Sequence, residues 1–160
     1  PPMKSRDPGI VAAAINSDAY TGIIGDGLHV DDEMIKLALR ARPVPDRVFI
    51  VSDSMPTIGG PDQFDLYGRR VCLQNGRLIN SEGSLAGAHI TMAQTVERFV
   101  ATLGVQPSEA LKMATFVPAD LIGVTQMGQV HNRPIKDLIA LDNQFAYLNN
   151  LEDYLAVQMS

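Results

Sequence analysis

The sequence has a single cysteine and no tryptophan. Cys72 has no internal disulfide partner and cannot by itself build a thiolate zinc site, so the chain is compatible with a reducing compartment. Its position in an alternating, strand-like stretch predicts a buried, inert thiol. No apolar run approaches the roughly 18 residues that span a bilayer, and no charged start followed by an apolar stretch heads the chain. Basic charge is also scarce: 13 Lys and Arg stand against 18 Asp and Glu, a net charge of −5. Binding to a phosphate backbone draws on clustered basic residues, so nucleic acid is excluded as an expected partner. Internal repeats and low-complexity segments are absent as well. What is present, 160 residues with 46% hydrophobic and 19% charged, is the length and composition of a globular domain, expected in the cytoplasm. The start, Pro1-Pro2-Met3, offers no initiator Met at its first position and reads as cut from something longer.

The apolar pattern changes character along the chain. Pro8 and Gly9 precede a small-residue helix over Ile10 to Ile15, and Tyr20 to Ile24 reads as a short strand running into Gly25-Asp26-Gly27. Asp31 and Asp32 suit a helix N-terminus, with Ile35, Ala38 and Leu39 on one face and Pro43 as its stop. Val48 to Val51 is apolar on both faces, the mark of a parallel strand, and runs straight into Ser52-Asp53-Ser54. The middle third switches to antiparallel β: Phe64 to Tyr67, Arg70 to Leu73, and Arg77 to Asn80 across the two-residue turn Asn75-Gly76. Two amphipathic helices follow. The first carries Met92, Val96, Phe99, Val100 and Leu103 and stops at Gly104. The second opens at Pro107-Ser108-Glu109, turns Leu111 and Ala114 inward, and is bounded by Pro118. Asp137 to Leu141 reads as a last strand, and no pattern is legible beyond Asn143.

Two β-α units with polar residues just past each strand fit part of a barrel or of an open doubly wound sheet, where sites lie at that end. Three polar constellations occupy such places: Lys4-Ser5-Arg6-Asp7-Pro8-Gly9, Asp26-Gly27-Leu28-His29-Val30 and Val51-Ser52-Asp53-Ser54-Met55. Together with Ser84-Leu85-Ala86-Gly87, Glu109-Ala110-Leu111-Lys112-Met113-Ala114-Thr115 and Pro118-Ala119, their order and spacing resemble the N-acetylglucosamine-6-phosphate deacetylase family of amidohydrolases. The resemblance runs from about Lys4 to about Asp142.

The resemblance implies an α/β fold: the C-terminal part of a metal-dependent hydrolase (β/α)₈ TIM barrel, with a β-hairpin insertion and part of a small flanking β domain. Residues 1–125 would be barrel, with the hairpin over about 62–82, and 126–160 would be a segment of the small domain and tail. It implies removal of the acetyl group from N-acetylglucosamine 6-phosphate, in amino-sugar catabolism. Asp53 would be catalytic, first a general base toward a metal-bound water and then a general acid toward the departing amine. His29 and Arg6 would bind the substrate, Arg6 gripping the phosphate of the neighbouring subunit's substrate, which implies a homodimer. Leu85, Ala86 and Gly87 would form a loop beside the substrate; opening the next helix is their alternative role.

The implied cofactor is a divalent metal such as Zn, Fe or Mn. The family's glutamate and two histidines that bind it precede the region covered, so Asp53 is the one residue here that could touch the ion. The implied partner is therefore the missing N-terminal half of the same protein. Without it, unpaired strand edges and apolar faces predict a poorly folded or aggregation-prone chain. Other readings remain open: an amidohydrolase for a different N-acetylated sugar, and an inactive half-barrel fragment. His89 and His131 occupy no motif position and are expected to be structural or exposed, and Met92 and Met113 to fill core. Two departures fall late: Asn132-Arg133 stands where a glycine-containing turn is usual, and Lys136-Asp137-Leu138 replaces an Ala-Asp-Leu strand.

Overall fold

Alternation along a strand sends every second side chain to one face, and this decides how the first two strands bury their apolar residues. The computed structural model describes residues 3–42 and 44–159. In it β1 (Thr21–Ile24) and β2 (Val48–Val51) pair in parallel, with Ile23 opposite Ile50. Those two side chains share a face and are buried with Ile35, Val96, Phe99, Leu103, Ala110 and Met113. The other face, carrying Ile24, Phe49 and Val51, is only half-buried. A parallel pair apolar on both faces was the expectation, and the helices described cover one of them.

Helix α1 (Gly9–Ile15) buries none of its residues. Helix α2 (Asp32–Ala41) starts where its carboxylates suggest: the Asp31 side chain accepts the Glu33 N–H at 2.9 Å. Its apolar stripe places Ile35 in the core, with Ala38 and Leu39 against it. The expected stop, Pro43, lies outside the described residues. Helix α3 (Met92–Ala101) opens with a reciprocal cap between Thr91 and Gln94. Fully buried Phe99 anchors it, a burial that stabilises by about 2–3 kcal/mol.

Helix α4 (Pro107–Ala114) corrects two expectations. Its inner face is Ala110 and Met113, with Ala114 packed against the core as expected, while Leu111 is 37% exposed. The three-residue step from Ala110 to Met113 sets the phase and turns Leu111 outward. Pro118 does not bound this helix; the backbone breaks at Thr115, with φ −129° and ψ −71°, and Pro118 sits in the first turn of α5 (Phe116–Leu121). A first-turn proline removes only an N–H that has no helical partner.

Between the β-α units and α3, strands β3 (Gln63–Leu66), β4 (Arg69–Gln74) and β5 (Arg77–Asn80) form an antiparallel sheet in sequence order. Both of its turns are two residues long with positive φ throughout: Asn75-Gly76 as expected, and Tyr67-Gly68, where a longer first strand had been expected. Val71 and Leu78 bury its inner face, and Cys72 is half-buried.

Beyond α5 come two 3₁₀ helices (Thr125–Gly128 and Ile135–Asp137), then β6 (Ile139–Leu141), β7 (Tyr147–Asn150) and α6 (Leu151–Gln158). The last expected strand starts two residues late. The Asp137 N–H donates to the Pro134 carbonyl, and its carboxylate pairs with Arg133 at 2.7 Å, holding residues 135–137 in a 3₁₀ turn. Asn132 fills the place of a turn glycine at φ +60°, a conformation that Asn tolerates better than most side chains. Among the described residues no helix is long and apolar enough to cross a membrane.

Candidate active site

The parallel pairing of β1 and β2 brings their C-terminal ends to one edge, and with them the two loops that carry His29 and Asp53. The segment after β2 is held by backbone. The Asp53 carbonyl accepts the Ala88 N–H at 2.9 Å, and the Met55 N–H donates to the Ala88 carbonyl at 3.1 Å, so residue 88 lies parallel to residue 54. Leu85, Ala86 and Gly87 are thereby stitched between the hairpin and the catalytic candidate: Leu85 bridges Ile79, and the Ala86 N–H donates to the Leu78 carbonyl at 3.0 Å. These residues thus link the hairpin to the segment after β2, and α3 starts only at Met92.

Gly87 is required where it stands. Its φ is +87°, and a Cβ there would lie 2.3 Å from Met55 Cγ. Asp53 also adopts positive φ, +53°. Its side chain is exposed and accepts no hydrogen bond from any described residue, so it caps nothing. Aspartate is among the non-glycine residues that tolerate this conformation, which Asp46, Tyr67, Asn75, Asn132 and Phe145 also adopt.

His29 is built differently. The Asp26 side chain, only 4% exposed, accepts the Leu28 and His29 N–H groups, each at 2.9 Å, and lies 2.8 Å from His29 Nδ1. Burial alone would raise the Asp26 pKa, but the two backbone N–H groups and the His29 ring outweigh it and hold it below the ordinary value. A carboxylate accepts only, so Nδ1 carries the hydrogen and Nε2 is left without a described partner. Asp26 went without a role in the sequence reading. The signal was present, an Asp three residues before a His in a glycine-rich turn, but nothing local told this aspartate from a turn residue.

Arg6 is exposed at the tip of a turn closed by Lys4 and Asp7, whose backbones exchange hydrogen bonds at 3.0 and 3.2 Å. It makes no described contact with Asp53 or His29. His89 is half-buried, with Nδ1 2.9 Å from the Thr57 hydroxyl, and His131 is exposed. Among the described residues no three His, Cys, Asp or Glu side chains stand together as a metal-binding group. One exposed carboxylate does not fit a metal centre by itself. A cavity of about 480 Å³ between α1, β1 and α2 is lined mainly by apolar side chains, Ile10, Val11, Ile24, Val30 and Met34 among them, and it reaches His29.

Comparison with solved structures places this mixed α/β arrangement of elements within the amidohydrolase fold. An N-acetylglucosamine-6-phosphate deacetylase from Pasteurella multocida superposes with a TM-score of 0.84 at 36% identity, over 92% of this chain and 39% of that one. The deacetylase of the same name from Thermotoga maritima gives 0.81 at 25% identity, over 92% and 41%. No family model matches the chain. Among curated proteins, a Haemophilus influenzae N-acetylglucosamine-6-phosphate deacetylase is 31% identical over 86% of this chain and 37% of its own length. A putative N-acetylgalactosamine-6-phosphate deacetylase from Escherichia coli K12 is 30% identical over 88% of this chain and 85% of its own length. The chain belongs to the family of N-acetylated amino-sugar 6-phosphate deacetylases. It spans 36% to 38% of several of the curated relatives it matches.

Proposed function

We propose that this chain is the C-terminal portion of a hydrolase that removes the acetyl group from N-acetylglucosamine 6-phosphate, giving glucosamine 6-phosphate and acetate in amino-sugar catabolism. The single observation that carries the reading is Asp53: a carboxylate free of partners among the described residues, fixed through its backbone at a parallel strand's exit. As water adds to the acetamide carbonyl, Asp53 takes the proton that water loses. As the carbon–nitrogen bond breaks, it returns that proton to the leaving amine, so one group serves both halves of the reaction.

His29, its ring set by Asp26, offers Nε2 to a substrate oxygen, and Arg6 offers a guanidinium fork to a phosphate. The isolation of Arg6 from the other two residues supports its working across a homodimer interface on a neighbouring subunit's substrate. Leu85, Ala86 and Gly87 give a close, small-residue wall beside Asp53. A divalent metal, supplied with ligands outside this chain, would activate the water. Residues 1–125 form the last part of a (β/α)₈ barrel with the hairpin over about 62–82, and residues 126–160 belong to a small β domain. The protein works in the cytoplasm with its N-terminal half present.

The relatives named for N-acetylgalactosamine 6-phosphate, at 30% to 34% identity, support a second reading in which the sugar differs at one carbon and the same residues act. The test is Asp53→Asn in the protein with its upstream half. Turnover of N-acetylglucosamine 6-phosphate should fall by about 10²–10⁴-fold with little change in KM. Unchanged kcat would remove Asp53 from the chemistry. Equal rates on the unphosphorylated sugar would remove Arg6 and His29 from phosphate recognition.

A further inference from the structure

The loop that carries His29 rests on α3, and one side chain of that helix reaches it at two points and the first turn of α2 at a third. Arg98 Nε donates to the Gly25 carbonyl at 3.1 Å, and its Nη2 donates to Asp32 Oδ1 at 2.7 Å. Between those contacts the guanidinium lies against Gly27, where a Cβ would come within 2.4 Å of Nη2. Gly25 sits as tightly on the same helix, with a virtual Cβ 2.3 Å from the Phe99 ring and 2.8 Å from Thr95 Cγ2. Both glycines are thus explained by close approach to α3, and Arg98 is the polar member of that platform. The same helix continues, through residues 88–91, the segment hydrogen-bonded to Asp53 and Met55. We infer that Arg98 is a positioning residue: it fixes the Gly25–His29 loop to α3 and so sets where His29 stands relative to Asp53.

Geometry argues for the guanidinium in particular. A planar fork can serve a carbonyl on one side and a carboxylate on the other while its face packs on a backbone, whereas an ammonium keeps the charge and loses that division of contacts. Asp32 supplies the second anchor, on the first turn of α2, so Arg98 ties β1's exit loop to two helices at once. The inference rests on the proposed role of His29 only in treating this loop as part of the active site.

The test is amide hydrogen exchange and imidazole NMR on the protein carrying Arg98→Ala or Arg98→Lys, read without substrate. The Leu28 and His29 amides, now bonded to Asp26, should exchange about 10-fold or more faster in both variants. The His29 ring should lose its single Nδ1–H signature, while hairpin amides in β3–β5 keep their protection. Unchanged Leu28 and His29 amides in Arg98→Lys would overturn the inference. So would loss of protection throughout both variants, since Arg98 would then hold the domain and not the loop. With substrate, in the protein with its upstream half, Arg98→Lys should lower kcat/KM by up to about 10²-fold, the scale of an ångström of misplacement. A freed loop without that loss would leave Arg98 as positioning residue and would count against His29 as a substrate contact.

Discussion

Replacing Gly87 by alanine tests how the wall beside Asp53 is assembled. Two costs are separable. A non-glycine residue at φ +87° gives up about 1–2 kcal/mol against a conformation it favours. The new methyl would also meet Met55 Cγ at 2.3 Å and Sδ at 2.8 Å. Overpacking costs about 1–3 kcal/mol, toward the low end here because an unbranched methionine can turn aside. The sum is about 2–3 kcal/mol. Gly104→Ala is the control, with φ +73° and nothing within 4 Å of a Cβ, so it should lose about 1 kcal/mol from the backbone alone. The readout is circular dichroism in a urea titration of the protein with its upstream half. Adding Met55→Ala to Gly87→Ala should return about 1 kcal/mol of the difference, as expected for side chains in contact. Equal losses for Gly87→Ala and Gly104→Ala, or a strictly additive double variant, would refute the close approach of residues 55 and 87.

Two further outcomes follow from the same contacts. Asp26 is held below its ordinary pKa of 3.8, so its contribution to stability is full above that value and lost as pH falls through its lower folded value. The urea midpoints of wild type and Asp26→Asn should therefore differ by a constant amount above about pH 4 and approach each other as pH falls further; a gap that does not close in acid would deny the Asp26 cradle. Among the described residues β1 pairs with β2 alone, and Ile10 of α1 is 76% exposed beside the apolar cavity. The chain alone should self-associate with concentration in light scattering and be dispersed by its upstream half; a monomeric chain with a cooperative melt would contradict this.

Local chemistry was legible in the sequence wherever one element sufficed to express it. Asp31 and Asp32 announced α2, Asn75-Gly76 announced the β4–β5 turn, and the apolar run of β2 announced a parallel strand with Asp53 at its exit. What escaped was set by contacts distant along the chain, or by phase. Leu111 and Ala110 are both good helix-face candidates, and only the packing of Met113 under the sheet chooses between them. Tyr67 has strong strand preference, yet the hairpin needs a turn residue there. The tail could not be read because β7 gains its pairing from β6, with a register shift between Ala140 and Leu141, and α6 has little apolar patterning of its own.

The site is the extreme case of that distinction. Positive φ at Asp53 costs about 1–3 kcal/mol, and no neighbour in sequence repays it. The offset comes from residue 88, whose N–H and carbonyl bind both sides of Ser54, about 1 kcal/mol for each bond. Those bonds use Asp53's carbonyl and Met55's N–H and leave the Asp53 carboxylate untouched. A capping role would have satisfied the carboxylate and made the residue inert; fixing it by the main chain holds the group still while leaving both oxygens available for a proton. The hairpin, which carries Leu78 and Ile79 to the far side of the 85–88 segment, thus supports the segment that bears Asp53, and shortening β5 should loosen Asp53 as surely as altering the loop that bears it.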